Sequence, residues 1–229
     1  MQVNIITENL EQLKNYIASM AQFLQIHADS PQDRLISQAA AVLRGGGVIV
    51  YPTDSCYALG AISGNKAAVD RIIHIRRLSP KHNMTLICRD LSDIGNYAKL
   101  DNIAYRFIKN LTPGPYTFLL RASRDVPRRL QHPQKKTIGL RVPDNRIALA
   151  LLESLGEPLV STSLILPDHD RPETEPETIQ SLLQHQVDLV IDGGAGGLDP
   201  TTVLDLTEGS PVIVRAGKGD VSRLVESNN

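Results

Sequence analysis

Between Gly45 and Gly60 the chain reads Gly-Gly-Gly-Val-Ile-Val-Tyr-Pro-Thr-Asp-Ser-Cys-Tyr-Ala-Leu-Gly, and this stretch constrains the fold more than any other. Glycines stop the preceding helix. Val48 to Tyr51 is a short β-branched run of the kind that fills a buried strand. Pro52 has no N–H to donate, so the ladder ends there. Thr53, Asp54, Ser55, Cys56 and Tyr57 then place three hydroxyls, a carboxylate and a thiol in five positions at the strand's C-terminal end. Open α/β sheets bind ligands at that end. The same residues also suit a hydrogen-bonded Asx/ST turn, so turn and binding site both stay open.

The rest of the chain alternates helix and strand patterns. Asn9–Ile17 is an amphipathic helix candidate. Ser30 reads as an N-cap and Pro31 as the first residue of a helix that runs to Arg44. Strands are expected at 48–51, 58–62, 85–88, 116–121, 137–142, 159–163, 187–191, 202–206 and 212–214. Helices are expected from Asn65 to Leu78, over 91–99 and 102–111, from Asn145 to Leu155 with Gly156 closing it, and over 177–186. This interleaving is the α/β class, as a twisted open sheet with flanking helices. The short 202–214 hairpin makes that sheet mixed. No linker divides the chain, so residues 20–229 read as one domain after an extension at 1–19.

Composition excludes several classes. Tryptophan is absent, so the core is Leu, Ile, Val and Ala. No apolar run can span a bilayer, and a secretory signal pattern is lacking. Cys56 and Cys88 are the only cysteines, which fits free thiols in a reducing cytoplasm rather than a disulfide framework. The net charge of −1 hides a basic middle: residues 71–146 carry 16 Lys/Arg against 5 Asp/Glu, and the remainder carries 8 against 20. Such a segment is either a surface that faces phosphates or a set of ordinary solvated positions. Arg124, Arg128, Arg129, Lys135 and Lys136 are its densest cluster and the candidate RNA-binding residues.

Polar residues of one kind recur at strand ends. Ser161 and Ser163 close an apolar strand, Thr201 opens another, and Thr117 enters a third. Arg141 and Arg215 sit in or at the end of apolar strands. A single arginine there is ordinary; two with clustered hydroxyls suggest an anion pocket, since the guanidinium fork suits carboxylate and phosphate.

The segments VIVYPTDSCYALG, HIRRLSP, LTPGPYTFLL, TIGLRVP, PLVSTS, PTTVLDL and PVIVRAGKGD together resemble the YrdC-like family, and within it the YciO branch. The resemblance runs from about Met20 to Leu224. It implies a twisted α/β sheet with a positive cavity. It also implies chemistry like that of the family's synthases, which join L-threonine, bicarbonate and ATP, with Mg2+, into threonylcarbamoyl-adenylate for tRNA modification. By position, Thr53, Tyr57, Thr117, Arg141, Ser161 and Ser163 would line the substrate pocket, with Arg141 on the threonine carboxylate. Arg76, Thr201 and Arg215 would face the nucleotide. No catalytic side chain and no protein metal site are implied; orientation and electrostatics carry the reaction. Two motifs depart from the synthase pattern. Lys-x-Arg is replaced by Arg76-Arg77-Leu78, and Ser-x-Asn by Ser163-Leu164-Ile165. Losing one cation and one amide weakens nucleotide binding. The alternative is a protein that binds tRNA or double-stranded RNA beside a vestigial nucleotide pocket.

Other features carry less. Cys56 beside Asp54 is a nucleophile or a buried turn thiol. The six histidines show no paired metal spacing. Asp168-His169-Asp170 is a cation loop or a solvated one. The glycine run at 193–197 lacks a Walker lysine and reads as a mobile loop.

Overall fold

The computed structural model describes residues 20–208 and 210–222. The helix expected at Asn9–Ile17 lies outside them. Ten strands form a single sheet: β1 (Gln22–Gln25), β2 (Ile49–Tyr51), β3 (Ala58–Ile62), β4 (Thr85–Ile87), β5 (Tyr116–Arg121), β6 (Thr137–Arg141), β7 (Leu159–Ser163), β8 (Leu189–Asp192), β9 (Thr202–Asp205) and β10 (Val212–Arg215). Their order is β1-β8-β2-β3-β7-β4-β6-β5-β9-β10. The sheet is mixed. For example, β2 runs parallel to β8 and antiparallel to β3, and β9 is parallel to β5 and antiparallel to β10. Six α-helices are described: α1 (Asp33–Arg44), α2 (Lys66–Arg76), α3 (Leu91–Tyr97), α4 (Asn102–Leu111), α5 (Arg146–Leu155) and α6 (Pro176–Leu183).

Strand alternation splits the core in two. Val48 and Val50 face a large cluster that receives Ile72 and Ile75 of α2, Ile108 and Leu111 of α4, and Ile179 and Leu183 of α6. Ile49 and Tyr51 face the other side, which is covered by Ile36, Ala39 and Leu43 of α1 and by Ile147, Leu151 and Leu152 of α5. Each fully buried Leu or Ile there stabilises the fold by roughly 1.5–3 kcal/mol relative to exposure. The second cover stops at Ile87 of β4. Beyond it, β6, β5, β9 and β10 present Arg141, Thr117, Val203 and Arg215 on the same side, and this open half of the face holds the candidate site.

Several boundaries differ from expectation. α1 starts at Asp33, not at Pro31. Gln32 is its N-cap, and the Gln32 side chain instead accepts the His27 N–H at 3.1 Å, which holds the preceding turn out of the helix. α6 takes Pro176 at its first position and ends at Leu183. The Gln186 N–H closes a turn on the Leu183 carbonyl at 2.8 Å, so β8 starts later than residue 187. β1 and the 3₁₀ turn Arg128–Leu130 were not anticipated. The glycine run at 193–197 packs closely on the turn after β2. A Cβ on Gly197 would lie 2.0 Å from the Ser55 carbonyl oxygen, so only glycine fits.

Candidate functional site

The turn after β2 is built by Thr53. Its Oγ1 accepts the Ser55 N–H at 3.1 Å, donates to the Cys56 carbonyl at 2.6 Å and lies 3.0 Å from Ser55 Oγ. This hydroxyl serves the turn, and Thr53 lines neither recess described below. Tyr57 shares its parity with Leu59 and therefore enters the opposite core. Its hydroxyl donates to the Gly194 carbonyl at 2.6 Å and accepts the Gly193 N–H at 3.2 Å. Burial pushes its pKa up to about 12. The expectation that Tyr57 lines the substrate pocket is thus not met; it anchors the glycine loop instead.

Asp54, between them, faces the open half of the sheet. One of its carboxylate oxygens pairs with Arg141 Nη2, and the two side chains are 11% and 5% exposed. The second carboxylate oxygen and Arg141 Nε are buried without a partner. Behind Arg141, Tyr51 donates to Ser161 Oγ at 2.8 Å, and Ser161 donates to the Leu59 carbonyl at 2.9 Å. Burial raises the Tyr51 pKa to about 12, which keeps it a donor.

Two adjoining recesses occupy this face. The larger, about 310 Å³, is walled by Arg76, Lys81, His82, Thr117, Ile165, Val214 and Arg215. The smaller, about 30 Å³, is walled by Cys56, Arg141 and Ser161. Thr85, Thr162 and Ser163 border both. Arg76, Thr117, Arg141, Ser161, Ser163 and Arg215 therefore come together from across the chain, and Thr201 stands behind them. Thr201 Oγ1 lies 2.9 Å from Thr117 Oγ1, and the Thr201 carbonyl accepts Arg215 Nε at 3.1 Å and Nη2 at 2.8 Å.

A bulge aims Arg215. Ile213 pairs with Leu204, but Arg215 pairs with Val203, a register shift that moves Arg215 off the face Ile213 occupies. A strap follows. The Lys218 N–H donates to the Pro200 carbonyl at 2.9 Å, and its ammonium donates to the Asp54 carbonyl. Gly217 sits where a Cβ would lie 2.2 Å from the Pro200 oxygen.

The larger recess is cationic, and its walls include no Asp or Glu. Burial holds the Arg76 guanidinium below its ordinary pKa, and Arg76 Nε has no partner. Burial, then the Arg141 charge, lowers Arg215. His82 is lowered by desolvation at the recess mouth and by Arg76 and Arg215, so its imidazole is neutral at pH 7. Lys81, His82, Asp54 and Lys218 were not singled out as site residues by sequence reasoning. The run Arg76-Arg77-Leu-Ser-Pro-Lys81-His82 carried a basic signal for two of them.

The family model for Sua5/YciO/YrdC, described as telomere recombination, matches residues 41–217. The chain belongs to the Sua5/YciO/YrdC family. It is 57% identical over 202 residues to YciO of Escherichia coli K12, described as an uncharacterized protein, covering 88% of this chain and 98% of that one. The crystal structure of E. coli YciO superimposes with a TM-score of 0.87 over 90% of this chain and all of the other. The family's threonylcarbamoyl-AMP synthases are more distant: that of Bacillus subtilis is 30% identical over 190 residues, covering 82% of this chain and 55% of the synthase. The P. abyssi Sua5 structure complexed with L-threonine is 26% identical, with a TM-score of 0.82 over 89% of this chain and 60% of that chain.

The two departures from the synthase pattern have different positions. Leu78 packs against the large core and does not line the recess. Ile165 lines the cationic recess with an apolar wall.

The basic middle segment does not act as one patch. Arg124, Arg128 and Lys136, joined by Lys99, line an open depression of about 740 Å³. It lies at the end of β5 and β6 remote from Thr117 and Arg141. Arg129 turns away to the Ser63 carbonyl, and Lys135 approaches Asp205 at 3.9 Å. Asp168 pairs with Arg77 at 3.3 Å, and His169 meets Glu173 at 3.2 Å, so that loop is engaged internally. Among the described residues no cluster of His, Cys, Asp or Glu is arranged to hold a metal ion, and no helix is long and apolar enough to cross a membrane.

Proposed function

We propose that this protein binds an L-threonine-like amino acid and a nucleotide side by side, and joins them through adenylate chemistry of the threonylcarbamoyl-AMP type. The observation that carries this reading is the convergence of Arg141 and Arg215 on one open face, where the small recess at Arg141 adjoins a larger cationic one. The Arg141 end suits a small amino acid. Arg76, Lys81 and Arg215 suit the phosphates of ATP, because fixed guanidinium donors stabilise charge that builds at an α-phosphate. Mg2+ would neutralise phosphate charge and would arrive on ATP, since the recess walls offer it no carboxylate. Bicarbonate would supply the carbon joined to the threonine nitrogen with loss of water, and the resulting carbamate oxygen would displace pyrophosphate from the α-phosphate. Holding the reacting groups together lowers the barrier without a side-chain nucleophile.

The test is incubation with L-threonine, bicarbonate, ATP and Mg2+, assayed for pyrophosphate and for the adenylate. Threonine-dependent pyrophosphate release is expected. Its absence, with no threonine binding by calorimetry, would overturn the reading. A second reading is favoured by Leu78 and Ile165: the protein binds tRNA or double-stranded RNA through the depression at Arg124, Arg128 and Lys136, and the nucleotide pocket is vestigial. It would be supported by salt-dependent tRNA binding without adenylate formation.

A further inference from the structure

We propose that Cys56 is a site of reversible oxidation by small hydroperoxides, taken to the sulfenic acid inside the smaller recess, with Arg141 as the donor that receives the oxygen. This does not depend on what the two recesses otherwise bind. Cys56 is only 1% exposed, yet it walls the recess of about 30 Å³ together with Ala58, Arg141 and Ser161. That volume admits about two water-sized atoms, the size of hydrogen peroxide. Arg141 lines the same recess; its side chain is 5% exposed, and its Nε is buried without a partner. A desolvated donor left unpaired is costly, and an oxygen seated beside it relieves that cost.

Cys88 shows what the recess adds. It is just as buried, but it follows Leu86 into the large core, whereas Thr85 and Ile87 of the same strand face the recess. The Cys88 S–H donates to the Leu86 carbonyl at 3.8 Å, and burial pushes its pKa far up. The Cys56 sulfur instead accepts the Ser55 hydroxyl at 4.0 Å, and Arg76 and Arg215 interact with its charge. Sulfur attended by donors and cations is the reactive kind, and sulfur sealed among apolar side chains is inert. In the step itself the Cys56 sulfur attacks one peroxide oxygen, the O–O bond breaks, and the departing oxygen carries off the thiol proton as water. Sulfur is oxidised by one electron pair and the peroxide is reduced by it. Arg141 Nε steadies the charge on the departing oxygen and then donates to the sulfenic oxygen. The sheet stands between Cys56 and Cys88, so no disulfide forms within the chain, and an external thiol restores Cys56. Until then the added oxygen fills the recess and occupies the Arg141 donor, which closes that end of the face to other ligands.

Hydrogen peroxide on the full chain tests this. After exposure the protein is unfolded in urea with dimedone, which traps sulfenic acids, and peptide mass spectrometry reads each cysteine. Cys56 is expected to carry at least about tenfold more adduct than Cys88, which has neither recess nor cation. Cys56→Ser should carry none at either position. Arg141→Lys should slow Cys56 oxidation by roughly tenfold, the worth of one charge-assisted hydrogen bond. Cys88 doubles as a folding control, because it becomes reactive once the core opens. No adduct at Cys56, under peroxide that oxidises both thiols of the urea-unfolded chain, would overturn the proposal. Equal labelling of Cys56 and Cys88 in the folded protein would do the same. Undiminished oxidation in a folded Arg141→Lys would remove Arg141 from it. The two cysteines of the wild type decide the matter even where the variant fails to fold.

Discussion

Thr117 and Thr201, 84 positions apart, meet hydroxyl to hydroxyl at 2.9 Å, and Thr201 in turn holds Arg215. Both threonines are buried, and Thr117 also borders the larger recess. Thr201→Val is expected to destabilise the fold by about 1–3 kcal/mol, the cost of leaving one buried hydroxyl unpaired. The double variant Thr117→Val/Thr201→Val should be less destabilised than the sum of the single variants, because it removes both partners. Denaturant unfolding of the four proteins measures the coupling.

Arg141→Ala should cost about 3–5 kcal/mol of stability, because it strands the buried Asp54 carboxylate. Threonine affinity should vanish with it. Arg141→Lys should recover part of the stability but little of the affinity, since an ammonium lacks the planar fork. Urea midpoints and calorimetry on the same samples separate the two effects. Equal threonine binding by the wild type and both variants would refute the role of Arg141.

His82 supplies a pH signature. Desolvation, Arg76 and Arg215 depress its folded pKa below the unfolded value. Below that unfolded value, the unfolded chain takes up a proton more readily than the folded one, so stability falls as pH drops from about 6.5 toward the folded pKa. His82→Ala should flatten this slope. Inorganic pyrophosphate in the cationic recess should raise the His82 pKa, which imidazole NMR shifts would follow. No movement on pyrophosphate addition would place the anion elsewhere.

Gly217→Ala should lift the strap from β9, since its Cβ would collide with the Pro200 carbonyl oxygen at 2.2 Å. Hydrogen exchange at the Lys218 amide should accelerate. Pyrophosphate affinity should fall several-fold as Arg215 loses its support. Unchanged exchange would mean that the strap absorbs a methyl group.

RNA binding, if carried by the depression, should separate the five basic residues of the middle segment. Arg128→Ala and Lys136→Ala should each weaken tRNA binding and reduce the salt slope by about one. Arg129→Ala and Lys135→Ala should do less, because those side chains do not line the depression and turn instead to Ser63 and Asp205. Equal effects from all four would show diffuse attraction rather than a seated backbone.

Local chemistry made most of the sheet legible. β3, β5, β7 and α4 occupy the expected residues because each has a clear pattern and a clear stop. β1 was missed because Gln-Phe-Leu-Gln shows little alternation; it is a strand only because β8 offers an edge in parallel register. The pocket was legible as a list of arginines and hydroxyls at strand ends. Tyr57 was misplaced although its parity with Leu59 already pointed it to the other core. The pairing of Asp54 with Arg141 was out of reach, because 87 residues separate them and only the sheet order makes them neighbours. The engagement of Arg129 and Lys135 was hidden for the same reason.

The bulge in β10 and the strap behind it have a consequence for the order of synthesis. A ribosome delivers Asp54, Arg76 and Arg141 well before Arg215 and Lys218. A nascent chain released as far as β8 holds the central strands and the Asp54–Arg141 pair, but not the residues that complete the cationic recess. The Arg141 end of the face is therefore assembled first, and the Arg215 end is closed later, by β10.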